Sequence, residues 1–398
     1  VYVELPREFE RKHMVLELQQ SVYGLKQSPL NFYRHLRQGL ESRGFTKSAH
    51  DDCLFNNGEV IVLFWVDDCI FYSNTNSAID KLIDNLKEEF LLEKEEDMAG
   101  FLGLDIRHLK DGKTITLTQV GLINRILKAC GMEDSNPKST PAEITPIGKD
   151  LDGDPCKEKW DYRSIVGMML YLAGTSRPDI SYSVHQCARF SHSPKHSHEI
   201  AVKHIARCLK GTRDKGLIMK PNMVNNLQFN LYADADFAGL FASEDKLDPI
   251  CAKSRTGILL TLGNVPIFWS SKLQTEISMS TLEAEYIALS SGMRELVAAR
   301  GLMFELSKQM KFDQIKLSNV SKAWEDNTGA QNLANSKGPL MTSRTKHIGI
   351  KYHWFRSKII DGEIEIERIT TDLQKADIFT KCSSKGDFEA KRKLVMGW

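Results

Sequence analysis

The chain lacks several features that mark common classes of protein. It has no apolar stretch long enough to span a bilayer and no signal peptide at its start, so we expect no membrane association. Its 8 cysteines include no Cys-x-x-Cys pair, which argues against a zinc module and for reduced thiols inside a cell. The net charge is only +1, so any face that binds nucleic acid must be local.

The length of 398 residues predicts about two or three domains with buried cores. No initiator methionine is present, and the start reads as if it were taken from a longer protein. Within each block of sequence, strand patterns are followed by helix patterns, which favours an α+β or mixed α/β fold. Residues 134–159 are rich in Pro, Asp, Lys and Gly and are the best candidate for a linker.

The segment 231–239 (LYADADFAG) reads as a strand with alternating faces. Side chains two apart share a face, so Asp234 and Asp236 point the same way as Tyr232. A carboxylate inside a strand is costly unless it is paired or binds a metal. Taken alone, however, the segment is read more simply as a strand end with two solvated acids.

Further acids lie at the edges of three later elements. Glu285, with Glu283, falls in the first turns of a long predicted helix. Asp326 falls where a strand runs into a helix, and Asp377 in the first turns of a late helix. Each acid alone is explained by capping of a helix N-terminus, where negative charge is favoured.

Convergence of these elements would bring several carboxylates within a few ångströms. Two like charges about 4 Å apart repel by roughly 4 kcal/mol at an effective dielectric constant near 20. Such a cluster ionises only around divalent cations, and oxygen ligands without His or Cys favour Mg²⁺ or Mn²⁺. Two such ions can hold the attacking and leaving oxygens of a phosphodiester.

Two segments near the start of the chain predict further local structure, a hairpin with two acids and a turn before a helix. Residues 59–72 are two apolar runs separated by Asp67 and Asp68, which predicts a hairpin with both acids at its tip. An ordinary polar turn is the simpler interpretation of that pair without its context. The segment 23–29 (YGLKQSP) predicts a turn that leads into a helix with Phe32 and Leu36 on one face.

A series of short motifs then identifies a family. In chain order they are YGLKQSP (23–29), WVDD (65–68), FLG (101–103), RSIVG (163–167) with SRPD (176–179), LYADAD (231–236), STLEAEY (280–286), KHI (346–348) and ADIFTK (376–381). This order resembles the C-terminal part of the polyprotein of copia-type retrotransposons, which comprises reverse transcriptase palm and thumb, a connection and ribonuclease H. The resemblance covers nearly the whole chain.

The resemblance implies a ribonuclease H site that hydrolyses RNA in an RNA–DNA hybrid. Two Mg²⁺ (or Mn²⁺) ions would be held there by Asp234, Glu285, Asp326 and Asp377. One ion would activate a water molecule and the other would stabilise the departing 3′ oxygen. The side chains next to this set, at positions 236 and 283, would be neighbours and not ligands.

The resemblance also implies that Asp67 and Asp68 are the paired acids of the reverse transcriptase palm, with Asp67 as a metal ligand. Trp65 stands where Tyr is usual in the family. The segment that would help to hold the incoming nucleotide and the template contains Tyr23, Gly24, Lys26 and Gln27.

A third palm Asp is needed for polymerisation by two metal ions. In this family it precedes the run matched here by residues 1–6, so it would lie upstream of residue 1 together with the fingers. We therefore expect RNA-directed DNA synthesis from deoxynucleotides in the longer parent protein, and no primer extension by this chain alone.

Three domains follow from the resemblance. They are a partial reverse transcriptase (1–135), a linker with a helical connection (136–222), and a ribonuclease H-like domain with a mixed five-stranded sheet and flanking helices (223–398). The implied partners are the RNA–DNA hybrid, the RNA template, integrase and the upstream fingers. The implied locations are cytoplasmic retroelement particles and then the nucleus. The alternative is a catalytically inactive remnant that binds nucleic acid or acts structurally.

Overall fold

The computed structural model describes residues 1–4, 14–95, 100–157, 160–222, 226–241, 248–310, 316–336 and 353–398. The chain divides into two compact units, one of residues 1–96 and 301–314 and the other of residues 97–300 and 315–398. The division into three domains at residues 135 and 222 stays a prediction. Among the described helices, none is both long and apolar enough to cross a membrane.

The first unit contains a four-stranded antiparallel sheet with two helices packed on one face. Its elements are β1 (Tyr2–Glu4), β2 (Val15–Glu17), α1 (Ser28–Ser42), β3 (Thr46–Lys47), β4 (Leu54–Asn56), β5 (Val60–Trp65), β6 (Asp68–Ser73) and α2 (Asn76–Leu86). The sheet has the order β3-β4-β5-β6, and β1 pairs with β2 separately. Alternate residues of β5 point into a core that includes Val60, Val62, Leu40 and Leu82. The helix predicted after the YGLKQSP turn is α1.

The hairpin predicted around the two acids is confirmed. Trp65 of β5 pairs with Asp68 of β6, so Val66 and Asp67 form a two-residue turn between the strands. Such turns require a positive φ at the first turn residue, and Val66 has φ 58°. A β-branched side chain disfavours this left-handed region, so the backbone is strained immediately before Asp67.

The second unit begins with a small sheet and a group of helices. Its first elements are β7 (Asp105–His108), β8 (Ile115–Thr118), α3 (Val120–Ala129), α4 (Tyr162–Thr175), α5 (Ser181–Ala188), α6 (His196–Gly211) and β9 (Leu217–Met219). The four helices share an apolar core that includes Ile126, Met169, Leu172 and Ile205. The predicted linker has no helix or strand in its described residues 134–157.

A five-stranded sheet dominates the rest of the second unit. Its elements and the flanking helices are β10 (Phe229–Asp236), β11 (Arg255–Leu262), β12 (Val265–Leu273), α7 (Thr281–Gln309), β13 (Ser321–Glu325), α8 (Thr328–Asn335), α9 (Arg356–Ile360), β14 (Ile364–Arg368) and α10 (Lys385–Met396). The strand order is β12-β11-β10-β13-β14. The first three strands are antiparallel, and β10, β13 and β14 are parallel. The α+β class and the mixed five-stranded sheet predicted from the sequence are therefore confirmed.

The central strand β10 is in close contact with its neighbours on both faces. A Cβ atom on Gly292 of α7 would lie 2.7 Å from the side chain of Leu231, so the helix crosses the strand at short range. On β11, Gly257 pairs with Asp234. A Cβ atom on Gly257 would lie 2.6 Å from the carbonyl oxygen of Ala376, which belongs to a 3₁₀ turn over Lys375–Phe379. Both glycines let other elements approach the strand that carries Asp234.

Replacement of Val66 tests the strain in the β5–β6 turn. Val66→Asn should raise the free energy of unfolding by about 1 kcal/mol, because Asn tolerates the left-handed region that costs other residues roughly 1–2 kcal/mol. Urea unfolding of the purified chain measures the change. The matched control is Val22→Asn, at an exposed valine without a positive φ. Equal effects of the two substitutions would contradict the strain.

Candidate active site

Three carboxylates from different elements lie together at one end of the five-stranded sheet. Asp234, Glu285 and Asp326 each place one oxygen within 4.8 Å of the other two. The parallel pairing of β10 and β13 runs as far as Tyr232 opposite Trp324. Two residues further along each strand, Asp234 and Asp326 therefore emerge at the same edge and on the same face. Glu285 reaches them from the first turns of α7.

Asp234 is buried, with 6% of its surface exposed. The hydroxyl of Thr380 donates a hydrogen bond to its Oδ2. Burial, followed by the negative charge of Asp377, raises the pKa of Asp234 to about 7. Near neutral pH this carboxyl is thus easily protonated unless a positive charge comes close.

Glu285 carries a buried oxygen atom, Oε2, that no described residue contacts by a hydrogen bond. Burial, and then the charge of Asp234, raises the pKa of Glu285 far above its usual range, although a hydrogen bond with the backbone of Ala235 opposes the shift. A buried carboxylate oxygen without a partner is costly, so this atom is the natural place for a cation.

Asp377 lies next to the three carboxylates but has different partners. It is fully buried and forms ion pairs with Lys381 and with Lys391 of α10. Lys391 also contacts Asp387 Oδ2 at 3.1 Å. Thr380 Oγ1 also lies 3.0 Å from the carbonyl oxygen of Asp377, so Asp234 and this carbonyl share its single hydroxyl hydrogen. The negative charge of Asp377 is therefore balanced by lysine in this structure.

The helix predicted around Asp377 is present as the short 3₁₀ helix Lys375–Phe379, with Asp377 in its first turn. The α-helix α10 begins separately at Lys385. Ser384 Oγ accepts from the backbone N–H of Asp387 and caps α10, which fixes its start further along the chain. Asp377 is thus held by a 3₁₀ helix and not by an α-helix.

The two acids expected to be neighbours and not ligands have other contacts. Glu283 Oε2 accepts from the backbone N–H of Met279 at 2.8 Å, and its own N–H donates to Ser280 Oγ at 3.2 Å. Glu283 therefore helps to cap α7. Burial raises the pKa of Asp236. Neither residue belongs to the group of carboxylate oxygens within 4.8 Å.

Glu325, the last residue of β13, is a buried acid that the sequence patterns did not single out. It is fully buried, and its Oε1 accepts from the backbone N–H of Asn327 at 3.0 Å. Its Oε2 has no partner among the described residues, and burial raises its pKa. The spacing along the strand could have identified it. Side chains two apart on a strand share a face, so Glu325 lies on the same face as Ser321 and Ala323, and all three are buried.

The first unit holds a second group of predicted site residues, in the turn that begins at Tyr23 and at the tip of the β5–β6 hairpin. Tyr23 OH donates to Asp67 Oδ2 at 3.1 Å, and this bond raises the pKa of the exposed Tyr23. Gly24 has φ 93°, which suits glycine in the turn. Lys26 and Gln27 are exposed beside it. The predicted nucleotide-binding turn and the hairpin acid are therefore neighbours.

One motif cannot be placed. The KHI segment at residues 346–348, which is one of the family motifs, lies outside the described residues.

Comparison with known proteins gives a consistent set of relatives. The family described as reverse transcriptase (RNA-dependent DNA polymerase) matches residues 1–144. The chain is 34% identical over 396 residues to the retrovirus-related Pol polyprotein from transposon RE1 of Arabidopsis thaliana, covering 98% of this chain and 26% of that protein. It is 32% identical to the corresponding polyprotein from transposon TNT 1-94 of Nicotiana tabacum, covering 99% of this chain and 29% of the relative.

A shorter relative is covered almost completely. The uncharacterized mitochondrial protein AtMg00810 of Arabidopsis thaliana is 32% identical over 235 residues, which is 59% of this chain and 92% of that protein. In contrast, the chain spans only about a quarter of the length of the RE1 polyprotein.

The raised pKa of Asp234 predicts how stability depends on pH without metal. Because the folded-state pKa of about 7 exceeds the ordinary value of 3.8, ionisation in the unfolded chain precedes that in the folded chain. Stability is therefore lost as the pH rises from about 4 to 7, by about 1.4 kcal/mol for each pH unit between the two pKa values. Asp234→Asn should remove this loss and stabilise the metal-free protein by a few kcal/mol at pH 8.

Urea unfolding in EDTA at pH 4, 6 and 8 measures this effect. The gain from Asp234→Asn should grow with pH and level off above pH 7. The control is Asp214→Asn at an exposed position, which should leave stability nearly unchanged at each pH. A gain that is the same at all three pH values would contradict the raised pKa.

Proposed function

The chain belongs to the Pol polyproteins of copia-type transposons and carries their reverse transcriptase-like domain, and from this we propose that its second unit is a ribonuclease that cleaves RNA in RNA–DNA hybrids with divalent cations. The observation that supports this most directly is the meeting of Asp234, Glu285 and Asp326 within 4.8 Å. No His or Cys takes part in this group. Its chemistry is therefore that of oxygen ligands.

The residues present fit a divalent cation. The buried Glu285 Oε2 has no partner among the described residues, and three carboxylates at this spacing would repel one another strongly if ionised without a cation. An all-oxygen donor set selects Mg²⁺ or Mn²⁺ over softer metals. When bound, such ions lower the pKa of water and stabilise charge on phosphodiester oxygens.

The protein's own residues would hold the ions in place. Asp234, Glu285 and Asp326 would bind one ion directly. Asp377, whose charge is balanced here by Lys381 and Lys391, would join a second ion only if it exchanged a lysine contact for the metal. Because Lys391 is 5% exposed while Lys381 is 47% exposed at the side chain, Lys381 is the partner that can leave at lower cost.

For the longer parent protein we propose RNA-directed DNA synthesis. Asp67 on the strained hairpin would be a metal ligand, with Asp68 as the second catalytic acid beside it. Tyr23, which is hydrogen-bonded to Asp67, would contact the incoming deoxynucleotide. The RNA template, integrase and the upstream fingers are the partners that we propose for it. We also propose cytoplasmic retroelement particles and then the nucleus as its locations.

Incubation of the purified chain with Mg²⁺ and an end-labelled RNA–DNA hybrid tests the ribonuclease. We expect cleavage of the RNA strand, no cleavage of a DNA–DNA duplex that lacks the 2′-hydroxyls, and no reaction in EDTA. Asp234→Asn should reduce the rate by at least about a hundredfold, the loss expected for a displaced metal ligand.

The control is Asp214→Asn, which makes the same replacement at an exposed position. This variant should cleave the hybrid at the wild-type rate. Circular dichroism spectra of the two variants should match that of the wild type. Binding of the hybrid without cleavage, unaffected by Asp234→Asn, would contradict the proposal and favour an inactive remnant that binds nucleic acid.

A further inference from the structure

Gln374 is a fully buried amide that contacts all three segments on which the aspartates of the site lie. Its Nε2 donates to the carbonyl oxygen of Ala233 on β10 at 2.9 Å and to that of Trp324 on β13 at 3.4 Å. Its Oε1 accepts from the backbone N–H of Ala376 at 3.3 Å and caps the turn Lys375–Phe379.

The position of this amide coincides with the end of the strand pairing. β10 and β13 pair from Asn230 opposite Lys322 to Tyr232 opposite Trp324. The carbonyl oxygens of Ala233 and Trp324 lie at the end of this pairing, next to the last paired residues Tyr232 and Trp324. A buried carbonyl left unpaired costs free energy, and the Gln374 amide satisfies both. The side chain of Gln374 thus links β10 and β13 at the end of their parallel pairing.

Each contact of the amide is made one or two residues from an aspartate. Ala233 precedes Asp234, Ala376 precedes Asp377, and Trp324 lies two residues before Asp326. We propose that Gln374 is a positioning residue that sets the spacing of the three aspartates and thereby the affinity of the site for a divalent cation. This inference rests on the proposed function, because it takes these carboxylates as the cation ligands.

A second glutamine provides a control within the same pair of strands. Gln228, just before β10, donates from Nε2 to the carbonyl oxygen of Val320, just before β13, at 3.2 Å. It therefore makes the same kind of bond between the same two strands, at the end remote from the aspartates. If Gln374 only stabilised the sheet, removing either amide would have the same effect on Mn²⁺ binding.

The experiment compares Gln374→Met with Gln228→Met. Methionine keeps the length of the side chain but removes its donors and its strong acceptor. Mn²⁺ binding to each purified chain is measured by isothermal titration and by electron paramagnetic resonance, at a temperature well below the melting point of each variant. Signal that disappears in Asp234→Asn defines binding at the site.

We expect the wild type and Gln228→Met to bind Mn²⁺ equally. Gln374→Met should bind on the order of ten to a hundred times more weakly, the range found when residues that orient metal ligands are changed. Gln374→Leu, which also lacks the donors and the acceptor and adds no charge, should also bind weakly, and it replaces Gln374→Met if that variant does not fold.

Several outcomes would overturn the positioning role. Wild-type affinity in a folded Gln374→Met would do so, as would equal weakening by Gln228→Met. Failure of both Gln374 variants to fold would make the residue a structural part of the sheet. Absence of Mn²⁺ binding in the wild type would instead refute the proposed cation site itself, and the inference with it.

Discussion

The electrostatic repulsion between buried carboxylates is the main constraint on the structure at the carboxyl end of β10. Asp234 and Glu285 are nearly enclosed, and an oxygen of Asp326 lies within 4.8 Å of both. Like charges at such spacing cost several kcal/mol, which is a large part of the roughly 5–15 kcal/mol that stabilises a typical domain. Without a cation this cost is relieved because the raised pKa values of Asp234 and Glu285 favour their protonated, uncharged forms, and because neighbouring lysines offset the charge of Asp377.

The rigidity of the cluster comes from the elements that carry it. β10 is the middle strand of five and is covered closely on both faces, by α7 at Gly292 and by the 375–379 turn at Gly257. Side chains on such an element have little freedom to move apart when their charges repel. Because the acids lie at the end of the parallel strands β10 and β13, the packing of the core fixes the distances between their carboxylates.

Much of this arrangement could be predicted from the sequence, because its signals are local. Alternation along residues 231–236 placed Asp234 on a strand, two apolar runs around Asp67 predicted the hairpin, and helical spacing located α7. The order of the motifs connected segments that lie far apart in the chain. The α+β class followed from the local signals, whereas the mixed five-stranded sheet was implied by the resemblance to copia-type polyproteins.

Other features depend on contacts between distant segments and left no local signal. Nothing near Asp377 indicates that Lys391, on another helix, pairs with it. Polar composition alone did not distinguish Gln374, whose two strand contacts are separated from it by 141 and 50 residues. The sequence also does not show that the helix around Asp377 is a 3₁₀ helix, separate from α10, whose cap lies further along the chain at Ser384.

The close approach at Gly257 has an evolutionary consequence. Because a Cβ atom there would lie 2.6 Å from the Ala376 carbonyl oxygen and 2.7 Å from the Thr380 methyl group, a larger residue at 257 is admissible only if the backbone of residues 375–379 moves away from β11. A smaller residue at 380 would remove the second contact but leave the first. Any change at 257 would thus displace the segment that carries Asp377, so selection for the site is also selection for glycine on the neighbouring strand.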